Sequence, residues 1–124
     1  MKICIKGDSI RIRLTKSEVD LFGADGRVEE TTHFVGSQLV YVLSRSGAVD
    51  NLSAKFAGNT ITMLVPEAMA HEWTTTETVG YQHNMDLGNG SALFLLLEKD
   101  FKCIDAPSWE DQSDNYEHPD ITCK

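Results

Sequence analysis

The chain has 124 residues and a net charge of -8 at neutral pH, and 41% of its residues are hydrophobic. This length is sufficient for one domain with its own core, and the apolar content is too high for a generally disordered chain. The longest apolar run, Ala92 to Leu97, has the length of a strand and falls far short of the ~20 residues of a membrane helix. These properties predict one folded domain and exclude a membrane protein built on apolar helices.

The N-terminal residues and the cysteines favour a cytoplasmic location. Residues 1–6, MKICIK, lack the apolar stretch of ~7–15 residues that a secretory signal requires. The three cysteines Cys4, Cys103 and Cys123 are widely spaced and odd in number. This pattern is not typical of a disulfide framework, so the thiols are expected to be reduced.

Apolar residues alternate with polar ones in the first two predicted strands, which are joined by a turn at Gly7-Asp8. Because side chains alternate between the two faces of a strand, this hairpin should bury one face and expose a basic one. The core face is predicted to carry Ile3, Ile5, Ile10 and Ile12, and the outer face Lys2, Lys6, Arg11 and Arg13.

A helix is predicted next, because Thr15 followed by Glu18 forms a capping-box pattern. The glycines at 23 and 26 end this helix, which should cover Lys16–Phe22. Two further strands are expected over 28–34 and 39–43.

The second half repeats the same order of elements. Short strands are predicted at 54–56 and 60–65, followed by a helix over Glu67–Trp73 with Pro66 as its first residue. The last two strands, at 79–85 and 92–97, flank the turn Gly88-Asn89-Gly90. The apolar positions in this half also predict core residues, namely Phe56, Met63, Met69 and Trp73.

A constant offset of 51 residues aligns the two halves, so that Gly7 matches Gly58 and Phe22 matches Trp73. This repeated order predicts an internal duplication of strand-strand-helix-strand-strand units. The predicted fold is an α+β domain, mainly of antiparallel strands, in which repeats 2–45 and 53–97 form a pseudo-twofold barrel or sandwich. Residues 1–99 would form this domain, and residues 100–124 an acidic C-terminal segment.

The opening KICIKGDSIRIRLTKSEVDLF, followed by GRVEETTHF, resembles an uncharacterised family of small bacterial proteins. The resemblance covers most of the chain, including Glu98-Lys99-Asp100-Phe101, and implies no known activity.

A second resemblance concerns the repeated unit. Residues 58–67, GNTITMLVPE, are similar to the strand and helix pattern of AbrB/MazE-type swapped-hairpin domains, which build a barrel from two chains. That resemblance implies a fused dimer and a nucleic-acid-binding or antitoxin-type regulator. However, Thr62 and Leu64 stand where the first half has Arg11 and Arg13, and the acidic net charge opposes DNA binding.

The C-terminal segment from Asp100 to Lys124 contains seven acidic residues and only two lysines. It is expected either to be flexible or to pack on the domain through Trp109 and Tyr116, with its carboxylates near the basic hairpin. Cys103, His118 and Cys123 form a possible metal-binding set, with Cys4 as a further ligand, but they lack the close spacing typical of zinc sites.

No catalytic motif is evident in the sequence. His71-Glu72 lacks the second histidine of a zinc-protease helix, because Thr75 occupies that position. We therefore predict a non-enzymatic binding or regulatory module without a cofactor. The sequence does not identify its partner: a protein is one candidate, DNA is disfavoured and no membrane is expected. The protein is expected to be a monomer or a weak homo-oligomer. The predicted binding residues are Lys2, Lys6, Arg11, Arg13, Trp109 and Tyr116.

Overall fold

The computed structural model describes residues 1–101 and 114–116. Within these residues it contains the eight strands and two helices that the sequence predicts. In chain order the elements are β1 (Lys2–Ile5), β2 (Ser9–Leu14), α1 (Lys16–Asp25), β3 (Arg27–Phe34), β4 (Ser37–Ser46), β5 (Ser53–Ala57), β6 (Thr60–Pro66), α2 (Glu67–Thr75), β7 (Gly80–Asp86) and β8 (Ala92–Lys99).

The strands form two four-stranded sheets with the same plan. The first has the order β1-β2-β8-β7 and the second the order β3-β4-β6-β5. In each sheet the two inner strands run parallel, and each inner strand pairs with an antiparallel outer strand. Each sheet therefore contains one hairpin from each half of the chain, and the parallel inner pairs make both sheets mixed.

The sheets do not close into a barrel, so the barrel alternative is wrong for the described part of the chain. A barrel would need backbone pairing between the outer strands β7 and β5. Instead, the Sδ atom of Met85 on β7 accepts a hydrogen bond from the Ala54 N–H of β5 at 3.4 Å. The acceptor of this hydrogen bond is a thioether sulfur and not a strand carbonyl. A side-chain contact, and not backbone pairing, therefore joins the two sheets at β7 and β5.

One buried cluster joins both sheets and both helices. Phe22 of α1 and Trp73 of α2 are fully buried and meet edge to face, with ring centroids 6.0 Å apart. The indole N–H of Trp73 donates to the Val79 carbonyl at 3.0 Å, so this polar atom has a partner inside the core. The remaining members of the cluster are Ile12, Leu14, Val19, Val28, Leu43, Leu52, Met63, Val65, Ala70, Leu95 and Leu97.

The helix ends differ slightly from their predicted positions. The capping box is present at the start of α1, where the Thr15 N–H donates to the Glu18 carboxylate at 3.0 Å. The helix continues past Phe22 to Asp25 and ends at Gly26, whose positive φ of 72° suits glycine. Pro66 precedes α2 instead of beginning it.

Two residues that the alternation places in the core are exposed. Ile5 is 52% exposed and Phe56 is 70% exposed, so the predicted core position is wrong for both. They lie beside the turns of their hairpins, whereas the buried cluster lies further along the inner strands, at residues such as Ile12 and Met63. Alternation identifies the face of a strand but not how far the core extends along it.

A tyrosine with a raised pKa links β7 to α2. The Tyr81 hydroxyl donates to Glu72, and burial, this bond and the negative charge of Glu72 raise the pKa of Tyr81 to about 12. We expect this phenol to ionise late in an ultraviolet titration of the folded protein. Stability should fall between pH 10 and about 12, because the unfolded chain releases this proton first.

Glu72→Gln should move this ionisation to lower pH, because the neighbouring negative charge is removed. Because burial also raises the pKa of Tyr116, both variants are made in a Tyr116→Phe background. In that background Tyr81→Phe should abolish the late ionisation, and Tyr41→Phe is the matched control that should keep it. A late ionisation that survives in Tyr81→Phe would show that the assignment to Tyr81 is wrong.

Candidate binding groove

A groove of about 810 Å³ runs along β1, the outer strand of the first sheet. Residues 1–4 line it along β1, and a second part of the lining comes from the second sheet, at Thr32, Leu39 and Tyr41. The groove therefore lies where the edge of one sheet borders the other. Its remaining lining residues are Arg11, Arg13, Val79, Leu96, Glu98, Lys99, Asp100 and Phe101.

Strand register explains why the basic residues of the first hairpin share one face. Lys2 opposes Arg13 across β1 and β2, and directly opposed residues point to the same face. Strand β8 extends this face, with Glu98 beside Arg13 and Leu96 beside Arg11. The outer face thus carries the predicted bases together with one acid and one apolar side chain.

Two acidic residues neutralise two of these bases. The Arg13 Nε lies 2.5 Å from Glu98 Oε1, and the Lys2 Nζ lies 3.2 Å from Asp100 Oδ2. The contact between Lys2 and Asp100 is an ion pair without hydrogen-bond geometry. The side chain of Asp100 is buried. Arg11 is exposed and forms no ion pair with any residue that the structure describes.

Asp114, in the C-terminal segment, lies at the start of α1 instead of in the groove. The Lys16 N–H donates to its carbonyl at 2.9 Å, and the Ser17 N–H donates to its Oδ1 at 3.2 Å. Hydrogen bonds from Ser17 and Thr15 lower the pKa of Asp114. A carboxylate is favourable at this position, because the first N–H groups of a helix have no partner within it.

Tyr116 packs close to the same helix start. The centroid of its ring lies 5.7 Å from that of the Phe101 ring. The ammonium groups of Lys16 and Lys99 lie over the Tyr116 ring, 5.8 and 5.4 Å from its centroid. Burial raises the pKa of Tyr116 and lowers that of Lys99, whose Nζ donates to the Thr76 carbonyl at 2.8 Å. Tyr116 therefore packs beside Lys99 and Phe101, which also line the groove, and its N–H donates to the Asp100 carbonyl at 2.8 Å. The packing of the whole C-terminal segment stays a prediction.

The predicted binding residues divide into three groups. Lys2, Arg11 and Arg13 line the groove. Lys6 lies at the hairpin turn, outside the groove lining. Tyr116 packs against α1, and Trp109 lies outside the described residues.

The predicted metal ligands cannot be placed. Cys103, His118 and Cys123 lie outside the described residues, and Cys4 is an exposed free thiol in the groove lining. Within residues 1–101 and 114–116, no three histidine, cysteine or acidic residues are arranged to hold a metal ion.

Several groove residues are not evident from the sequence. Glu98 reaches Arg13 through the parallel pairing of β2 with β8, and Tyr41 joins the lining through the position of the second sheet. The alternation within a strand indicates a face, but it does not name the neighbouring strand. Asp100, by contrast, belongs to the acidic segment whose carboxylates are expected near the basic hairpin, and it pairs with Lys2.

The chain belongs to DUF7009, described as a family of unknown function, whose model matches residues 1–120. This finding confirms the expected membership of an uncharacterised family. No curated protein and no solved structure matches the chain. Within the described residues, no helix is both long and apolar enough to cross a membrane.

Proposed function

We propose that this protein is a non-enzymatic cytoplasmic binding module that takes an anionic ligand in the groove along β1. The observation that carries the proposal is the exposed guanidinium of Arg11, which has no ionic partner in the described part of the chain. A guanidinium presents several N–H donors in a fixed plane that matches a carboxylate or a phosphate. The lining contains four basic and two acidic residues, in contrast to the net charge of -8 of the whole chain.

The lining also suggests an apolar part in the ligand. Leu39, Val79, Leu96 and Phe101 contribute apolar surface to the same groove. Binding sites commonly combine apolar lining with a few polar groups that orient the ligand. A ligand with both negative charges and apolar groups fits this combination best.

The chemistry of the lining favours binding over catalysis. Cys4, Thr32 and Tyr41 carry its uncharged sulfur and hydroxyl groups. Nucleophilic catalysis by such a group commonly uses an adjacent histidine as base, and the described lining residues include no histidine. The two carboxylates of the lining, Glu98 and Asp100, are instead paired with Arg13 and Lys2. This supports a module that holds its ligand without transforming it.

Charge reversal at Arg11 tests the proposal. A fluorescein-labelled peptide of alternating glutamate and valine should bind the protein, and Arg11→Glu should weaken this binding at least tenfold. The reason is that the substitution replaces a charge-assisted contact with repulsion. Fluorescence anisotropy at low salt measures the dissociation constant.

Lys55→Glu is the matched control, because Lys55 is an exposed base on β5 of the other sheet. It makes the same change in net charge and should leave the affinity within twofold. The proposal is wrong if the two variants lose equal affinity, or if the acidic peptide does not bind. Tighter binding of duplex DNA than of the peptide would favour the nucleic-acid alternative.

We also infer that residues 2–45 and 53–97 are duplicated units related by a pseudo-twofold axis. Exchanging the two halves converts the strand order β1-β2-β8-β7 into β5-β6-β4-β3, which is the order of the second sheet. Such an exchange of hairpins supports the likeness to swapped-hairpin domains. It does not require a closed barrel.

Matching basic residues at the helix ends support the duplication. Lys99, the last residue of β8, donates from its Nζ to the Thr76 carbonyl at the end of α2, at 2.8 Å. Near the end of β4, the Arg45 guanidinium lies against Gly26, which ends α1. The Arg45 N–H donates to the Gly26 carbonyl at 2.8 Å, and the Lys99 N–H donates to the Val79 carbonyl at 2.9 Å.

The constant offset between the halves does not extend beyond the helices. Ile12 pairs with Leu97, and Met63 pairs with Leu43 in the other sheet. Ile12 and Met63 are 51 residues apart, whereas Leu43 and Leu97 are 54 apart. The second unit therefore has three additional residues between its helix and its last strand.

The duplication argues against the nucleic-acid-binding alternative. Thr62 and Leu64 of β6 occupy the places that Arg11 and Arg13 occupy in β2. A symmetric reader of duplex DNA would need phosphate contacts from both units. One basic face is better suited to a ligand that binds one side of the molecule.

A further inference from the structure

The position of β1 at the outer edge of its sheet is a feature that the anionic groove alone does not explain. Strand β1 ends the first sheet, and among the described strands it pairs only with β2. An outer strand presents unpaired N–H and C=O groups that can pair with another strand. The groove lies along this strand, from Met1 to Cys4.

The hairpin turn determines which backbone groups face outward. The Lys6 N–H donates to the Ser9 carbonyl at 3.0 Å, so the backbone of Lys6 faces β2. Because this direction alternates along an antiparallel strand, Lys2 and Cys4 also face β2. The N–H and C=O groups of Ile3 and Ile5 therefore point away from β2, to the outer edge of the sheet.

We propose that the ligand of the groove is an extended acidic peptide segment that pairs with β1 as a fifth strand of the first sheet. This inference rests on the proposed function of the groove. Backbone pairing with Ile3 supplies the geometry, in the manner of known strand-addition complexes. Charge complementarity selects the peptide, because the same groove presents Arg11.

The two faces of the added strand determine its side-chain pattern. Side chains on one face lie on the side of the first sheet that carries Lys2 and Arg11. Side chains on the other face lie on the side of Ile3, where the groove is also lined by Leu39 and Tyr41. A segment with acidic residues at every second position and apolar residues between them matches both faces.

N-methylated peptides test for strand pairing. We would use the alternating glutamate-valine peptide, a second version N-methylated at every glutamate, and a third N-methylated at every valine. Only alternate N–H groups of an added strand face β1, so one methylated version should lose at least tenfold in affinity and the other should bind like the parent. Equal binding of all three peptides would overturn strand addition.

A proline on β1 gives an independent test from the side of the protein. Ile3→Pro removes the outward N–H of an outer strand, a position where proline is tolerated, and Ile3→Val retains it. Ile3→Pro should weaken binding of the parent peptide about tenfold relative to Ile3→Val. Circular dichroism verifies that each variant is folded, and the methylated peptides decide the question if Ile3→Pro is not.

The outcomes separate the two proposals. If the parent peptide binds, Arg11→Glu weakens binding and neither methylated version differs from the parent, the anionic groove stands and strand addition fails. If the parent peptide does not bind, both proposals fail. Loss of affinity in both methylated versions would mean that the peptide does not bind as a simple strand, and would also overturn the further inference.

Discussion

Gly80→Ala should destabilise the folded protein by about 3 kcal/mol, because the native backbone leaves no space for a methyl group. A Cβ atom at Gly80 would lie 2.1 Å from the carbonyl oxygen of Leu97 and 2.8 Å from the Cα of Glu98. The strand cannot move aside easily, since the neighbouring Val79 carbonyl accepts hydrogen bonds from Trp73 and from the Lys99 backbone. Urea denaturation monitored by circular dichroism measures the loss of stability.

Gly47→Ala is the matched control for this substitution. Gly47 has no positive φ, and the nearest atom to an added Cβ is Glu67 Oε1 at 3.3 Å, the end of a flexible side chain. This variant should stay within about 0.5 kcal/mol of the parent. Equal stability of Gly80→Ala and the parent would mean that β7 and β8 are further apart than the structure places them.

Local patterns explain why the elements themselves could be predicted. Capping by Thr15 and Glu18, turns at Gly7 and Gly58, and alternation along the strands depend on neighbouring residues, so the sequence carries them directly. The parallel pairing of β2 with β8 joins strands from opposite ends of the chain. Nothing in either strand alone identifies that partner, so the two mixed sheets could not be predicted from the sequence.

The candidate site shows the same limit. Arg11 and Arg13 could be assigned to an outer face because both lie in one alternating strand. The difference in their ion pairing could not, because Glu98 reaches Arg13 only through the β2–β8 register. The outer position of β1 also depends on the order of strands in the sheet, which the alternation of side chains does not reveal.

Trp73→Ala should cost about 3–5 kcal/mol, the usual range for removing a fully buried large aromatic side chain. The substitution removes the contact with Phe22 between the helices and the hydrogen bond to the Val79 carbonyl. A loss of this size is a large part of the ~5–15 kcal/mol that stabilises an ordinary domain, so the variant should be partly unfolded at 37 °C. Phe56→Ala removes an aromatic ring that is 70% exposed and should cost less than about 1 kcal/mol. Thermal denaturation of both variants measures the contrast, and similar midpoints would contradict the assignment of Trp73 to a core shared by the two halves.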